Sequence, residues 1–138
     1  MGARTKARKR ALDLLFEAEQ RRVDPVTLLD ERVAVPVTPA PLPEYTAQLV
    51  RGVVAHLGQI DDALTTYAKD WPLDRMPAVD RNLLRVSAFE LLFNDEVPDK
   101  VAIAEGVALA TELSTDESPK FVNGLLGGTL LRKQFSMF

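Results

Sequence analysis

Arg4, Lys6, Arg8, Lys9 and Arg10 put five cations into the first ten residues, and no acid precedes Asp13. Fixed cations at this density suit a polyanion, because each phosphate they neutralise releases counterions from the nucleic acid. They run against the local preference of the backbone. The segment that follows has helical spacing, and a helix N-terminus carries a partial positive charge that acids stabilise and bases do not. Lys9 and Arg10 can reach Asp13, but exposed pairs three or four residues apart contribute only about 0.2–0.5 kcal/mol each. Projected at about 100° per residue, Arg4 and Arg8 share the side of Leu12 and Leu15, and Lys6, Lys9 and Arg10 take the other. The five are therefore expected to ring the helix as a collar that local pairing does not satisfy. Threading along the phosphates of single-stranded nucleic acid is one reading; a solvated basic terminus is the other.

A second candidate lies near the other end, in Ser118-Pro119-Lys120-Phe121-Val122-Asn123-Gly124. The apolar stripe there runs through Val122, Leu125, Leu126, Thr129 and Leu130, leaving Phe121 about a quarter turn or more from its centre. Phe121 beside Lys120 could stack a base, or it could be a rim residue of the core.

Other chemistries are hard to assemble. There is no cysteine, which excludes disulfides, thiolate metal sites and cysteine nucleophiles and fits a reducing cytoplasm. His56 is the only histidine and sits in a helical stretch, where a structural or surface role is expected. The pairs Asp61–Asp62 and Asp95–Glu96 read as solvated helix faces and not as general acid/base pairs. No phosphate loop, dinucleotide fingerprint or metal-ligand spacing is present, so neither cofactor nor metal is expected. Gly124, Gly127 and Gly128 fall inside a helical pattern, where each costs about 1 kcal/mol relative to Ala. Close helix approach is the favoured account, with ligand contact and a fraying helix as alternatives.

Charge distribution sharpens the first candidate. The net charge of the 138 residues is −3, but residues 11–138 carry 12 basic and 20 acidic side chains, an acidic body behind a basic tip. Such asymmetry suggests a nucleic-acid contact at one end. No apolar run approaches the roughly 18 residues of a membrane span, and ALDLLFEAEQ is too acidic for a signal-peptide core.

The elements that must position these residues are helical. An amphipathic helix is predicted over roughly Ala3–Arg22, with Ala7, Ala11, Leu12, Leu15 and Ala18 as its stripe and Leu14 and Phe16 on the shoulders. Asp24 is a predicted N-cap with Pro25 at the first helical position. Val35–Pro43, VPVTPAPLP, has four prolines in nine residues and must be a non-helical linker. Glu44–Lys69 reads as one bent helix or two joined near Gly58. Trp71–Met76 is a loop, Pro77 opens a further helix, Asp99 caps the next, and Ser118 with Pro119 caps and starts the last. The fold class is all-α, a single-domain bundle of about seven helices.

VPDKVAIAEGVALATELSTDESPKFVNGLLGG, MPAVDRNLLRVSAFELL and the basic start followed by ALDLLFEAE together resemble the NusB family of bacterial transcription antitermination factors. The likeness covers essentially the whole chain and is weakest at residues 23–45. It implies two helical subdomains, about residues 1–70 and 77–138, meeting near Trp71–Met76. It also implies binding of boxA RNA from ribosomal RNA leader transcripts together with NusE, a small-subunit ribosomal protein, within an RNA polymerase antitermination complex. Carried over by position, Arg4 to Arg10 would touch the RNA backbone, Lys120 and Phe121 match the family's KF on the RNA-facing side, and Asp80 holds an acidic position near where NusE and RNA approach.

Three departures stand out: the linker is unusually proline-rich, Leu125-Leu126-Gly127-Gly128 replaces a frequent acid after VNGxL, and the acidic body should weaken RNA binding without NusE. A pure protein–protein adaptor, with RNA held mainly by NusE, is the first competing role. A ribosomal RNA cytosine methyltransferase, whose N-terminal domain resembles this fold, is the second, but the chain has neither a cofactor-binding sheet nor the nucleophilic cysteine. A homodimer covering the NusE or RNA face is a further expectation. Reversing Arg8 and Arg10 to Glu is expected to abolish RNA binding with the helices intact.

Overall fold

The computed structural model describes residues 2–68 and 71–136. The described residues form seven α-helices and one 3-10 turn, with no strand: α1 Ala3–Arg21, α2 Pro25–Ala34, α3 Glu44–Ala55, α4 Leu57–Tyr67, the turn Leu73–Arg75, α5 Ala78–Phe93, α6 Asp99–Leu113 and α7 Ser118–Ser136.

Local sequence sets most of the boundaries. The Asp24 carboxylate accepts the Thr27 N–H at 2.9 Å, the expected cap of α2, with Pro25 in its first turn. The end of α1 is less ordinary. Arg22 adopts φ 57° and ψ 44°, and Val23 N–H donates to Ala18 O at 3.0 Å, closing the helix in a left-handed cap usually given to Gly. The proline-rich segment is non-helical, as its composition requires. Asp99 is not a cap: Pro98 holds that position, and the Asp99 carboxylate accepts from Lys133 of α7 at 2.7 Å. Ser118 is the first residue of α7, with its hydroxyl turned to Asp80.

The break between α3 and α4 falls at His56, two residues before the expected Gly58. Its reason is tertiary. Leu49, Val50 and Val53 of α3 face a cluster built with Ala11, Leu14, Leu15, Ala18, Leu28 and Leu29. Ile60 and Leu64 of α4 face a different cluster with Leu83, Leu84, Leu109, Val122 and Leu126. One straight helix cannot serve both, so the chain turns at His56, whose ring stacks on Phe93 with centroids 3.9 Å apart.

Helix α5 is the shared wall, contacting α1, α3, α4, α6 and α7. Its Val86 joins the first cluster, and Leu83, Leu84 and Ala88 join the second. Close approach explains some glycines. A Cβ at Gly128 would lie 2.8 Å from the Tyr67 ring, so α7 meets α4 there without a side chain. At Gly124 and Gly127 an added Cβ would meet nothing within 4 Å, so the packing expectation holds only for Gly128 of those three.

Candidate nucleic-acid interface

The α1 stripe is buried as predicted, with Ala7, Ala11, Leu12, Leu14, Leu15 and Ala18 in the core and Phe16 left exposed. Anchoring that stripe fixes where the cations can go. Arg8 continues it and is buried, 3% exposed. Its Nε donates to both Glu90 oxygens, at 2.8 and 3.0 Å, and a second guanidinium nitrogen lies 3.4 Å from Glu105. Glu90 also accepts the Tyr45 hydroxyl, which in turn accepts from Asn94 Nδ2 at 3.1 Å. Burial alone would lower the Arg8 pKa; the hydrogen bond and charge of Glu90, helped by Glu105, reverse this and raise it. Burial, then the hydrogen bond and charge of Glu90, push the Tyr45 phenol up as well.

The collar is therefore divided. Arg8, expected among the RNA contacts, is enclosed by a hydrogen-bonded network and cannot present its guanidinium to a phosphate while the fold is intact. Arg4 stays half-exposed, 3.4 Å from Glu96, with its guanidinium 4.7 Å above the Tyr45 ring. Lys9 pairs with Glu112, and Thr5 donates to Glu105 at 3.0 Å. Lys6 is exposed, and neither it nor Arg10 makes a direct ion pair among the described residues. Arg10 instead faces Asp13, whose pKa is raised by burial against the pull of Arg10 and Lys9. Carboxylates more than 80 residues away thus supply partners for Arg4, Arg8 and Lys9.

Asp80 is also withdrawn from the surface. It is 0% exposed and accepts from the hydroxyls of Ser114 and Ser118, the latter at 3.0 Å, tying α5 to the loop between α6 and α7. That bracket orients the start of α7, where Lys120 is exposed and Phe121 half-buried. Phe121 packs edge-to-face on Trp71, centroids 4.9 Å apart and planes at 65°. Beside them opens a hollow of about 820 Å³ whose lining includes Tyr67, Trp71, Asp116, Glu117, Lys120 and Gly124.

These two candidates are joined by the end of α6. Lys9 reaches Glu112 in the last turn of that helix, and residues 114–117 then lead directly into Lys120 and Phe121. Sequence spacing gave no sign of the acids that hold the cations, since Glu90, Glu96, Glu105 and Glu112 lie on other elements. Trp71 was legible as part of a loop, but its partnership with Phe121 was not. Elsewhere, Arg81 and Arg85 bind Glu19, and Arg85 also binds Asp61 at 2.9 Å, so that acid is an interhelix tie. No group of three or more potential metal-ligating side chains occurs among the described residues.

The sequence profile described as the NusB family matches residues 5–130. The protein named "Transcription antitermination protein NusB" in Beutenbergia cavernae is 60% identical, with 94% of this chain and 90% of that protein covered. Among solved structures, T. maritima NusB superposes with a TM-score of 0.82 at 32% identity, covering 98% of each chain. A crystal structure of antitermination factors NusB and NusE in complex with double-stranded RNA gives 0.78 at 28% identity, covering 94% of this chain and 96% of that one.

Proposed function

The chain belongs to the NusB family, and on that premise we propose that it is a transcription antitermination factor. It binds boxA-type single-stranded RNA of ribosomal RNA leader transcripts together with NusE, within an RNA polymerase antitermination complex. The observation that carries the RNA contact is the continuity of the two candidate regions. Cations on α1 lead over the end of α6 to Lys120 and Phe121. In this reading Arg4, Lys6, Lys9, Arg10 and Lys120 meet phosphates and Phe121 meets a base. Arg8 and Asp80 act one layer below, holding α1 and the start of α7 in place.

Its role is binding without catalysis, and it acts in the cytoplasm; no helix among the described residues is long and apolar enough to cross a membrane. Carboxylates Glu96 and Glu112 already engage Arg4 and Lys9, which supports weak binding by the chain alone and tighter binding with NusE. The same observation favours, as a second reading, a protein adaptor whose RNA is held mainly by NusE.

The test is a titration of labelled boxA RNA, with and without NusE, against the native chain and a Lys6→Glu/Arg10→Glu variant. Weak binding that NusE strengthens, and that the variant loses with its helical content intact, is the expected result. Equal affinity in native and variant protein overturns the role of α1. Crosslinking of boxA RNA to Phe121 or α1 decides against the adaptor reading.

A further inference from the structure

The proline-rich segment between α2 and α3 has no part in the RNA reading. Residues 33–43, VAVPVTPAPLP, contain no charged side chain, in a chain that is 27% charged. Residues 33–41 are all exposed. Val33, Val35 and Val37 are 55%, 74% and 68% exposed, the three highest values among the large apolar side chains described. Leu42 packs on the core, so the segment is pinned at one end while its valines face outward. Contiguous exposed apolar surface of this kind marks an interaction site.

The chemistry of the strip limits what can bind it. An uncharged run flanked by exposed Glu31 and Glu44 offers phosphates nothing and repels them, which argues against RNA. Prolines at 36, 39, 41 and 43 remove the N–H groups that adding a strand to a partner's sheet requires, and they bar helical docking. What remains is the recognition of an extended proline-rich ligand by an aromatic-lined groove. Pro43 has φ −57° and ψ 141°, the polyproline II region. Each proline ring fixes its own φ, so little conformational freedom is lost on docking. Position bears on the partner too. Helix α2 packs against α1 and α3, whereas α7 packs against α4, α5 and α6, so the strip and Lys120 belong to different sides of the bundle.

We propose that residues 33–41 dock the chain on RNA polymerase, in an aromatic-lined groove whose basic rim faces Glu31 and Glu44. The proposal rests on the antitermination reading above, which puts the chain in a complex with the polymerase.

The chain has no cysteine, so Val37→Cys creates a single labelling site. It carries either acrylodan, whose emission moves to the blue in apolar surroundings, or a benzophenone crosslinker. Purified RNA polymerase is titrated into the labelled chain with NusE, with and without boxA RNA. The expected result is a blue shift and a crosslink from residue 37 to a polymerase subunit. Association of variants is followed by the anisotropy of a dye on Gln20→Cys, an exposed position of α1. Val35→Ser/Val37→Ser should weaken polymerase association roughly tenfold or more, with RNA binding, NusE binding and helical content unchanged. Pro36→Gly/Pro39→Gly/Pro41→Gly, which keeps the valines and frees the strip, should weaken it too. No shift and no polymerase crosslink, or unchanged association in the valine variant, overturns the proposal. A crosslink to NusE, to RNA or to a second copy of the chain in place of the polymerase assigns the strip elsewhere and overturns it as well. If the native chain binds no boxA RNA even with NusE, the antitermination reading fails, and the titration without RNA still decides the strip.

Discussion

Arg8 Nε lies 2.8 and 3.0 Å from the two carboxylate oxygens of Glu90, in a pair that joins the first turns of α1 to the last turn of α5. Both side chains are almost fully buried, at 3% and 1% exposure. Removing one partner strands the other charge in the core, which costs about 3–5 kcal/mol. Arg8→Met should lose that much in urea unfolding, and Arg8→Met/Glu90→Leu should recover a substantial part. Equal losses in the single and double variants would argue against a coupled pair. Reversal of Arg8 to Glu is accordingly a fold-disrupting change, contrary to the expectation from sequence, and is unsuitable as a test of RNA contact.

Glu19 supplies a pH signature. The hydrogen bond from Arg81 holds its carboxyl below the ordinary value of 4.5, outweighing burial, with the charges of Arg81 and Arg85 assisting. A carboxyl whose folded pKa is depressed contributes its full stabilisation above the unfolded value and loses it as pH falls through the folded one. Stability should therefore decline below about pH 4.5, and Glu19→Gln should flatten that decline. Denaturant midpoints measured from pH 7 to pH 3 check it.

Neighbouring glycines of α7 should answer alanine with opposite signs. At Gly128 the new methyl meets Tyr67 ring atoms and Cβ at 2.8–3.0 Å, and overpacking of this kind costs about 1–3 kcal/mol. Gly127 faces open space, so Gly127→Ala should stabilise by up to about 1 kcal/mol through helix propensity. Thermal melts of the two variants suffice. A stabilised Gly128→Ala would mean that α4 and α7 can separate without cost.

Asp80 should behave as a bracket. Hydrogen bonds to a charged acceptor contribute about 1.5–3 kcal/mol, and Asp80→Ala removes two, from Ser114 and Ser118. Lower stability should come with weaker RNA binding, because the start of α7 loses its anchor. Native-like melting with lost RNA binding would instead make Asp80 a direct contact.

The salt dependence counts phosphates. If about four are neutralised on a single strand, the slope of log K against log salt should be near −3, from roughly −0.7 per contact. Lys6→Gln should reduce its magnitude by about 0.7, whereas a flat response excludes a backbone-dominated interface.

Periodicity and turn chemistry carried the helices themselves. The α1 stripe, the Asp24 cap and the proline-rich linker were all readable, because each depends on residues within a turn or two of one another. The motifs shared with the family were equally readable, and with them the antitermination role. A bend or break near Gly58 was readable too, but its placement at His56 was not, since that answers to two clusters that exist only after α1, α5 and α7 have assembled.

The basic start of the chain marks the division most clearly. By itself the sequence determined that five cations crowd one helix end and that no nearby acid can satisfy them. Tertiary structure decided which of them face solvent. Burial of Leu12 and Leu15 turns Arg8 inward to Glu90, Glu96 and Glu112 come to Arg4 and Lys9 from distant elements, and Lys6 is left on the surface. Coulomb attraction acts over a few ångströms of space irrespective of separation along the chain, so the fate of each charge was set only when the helices packed.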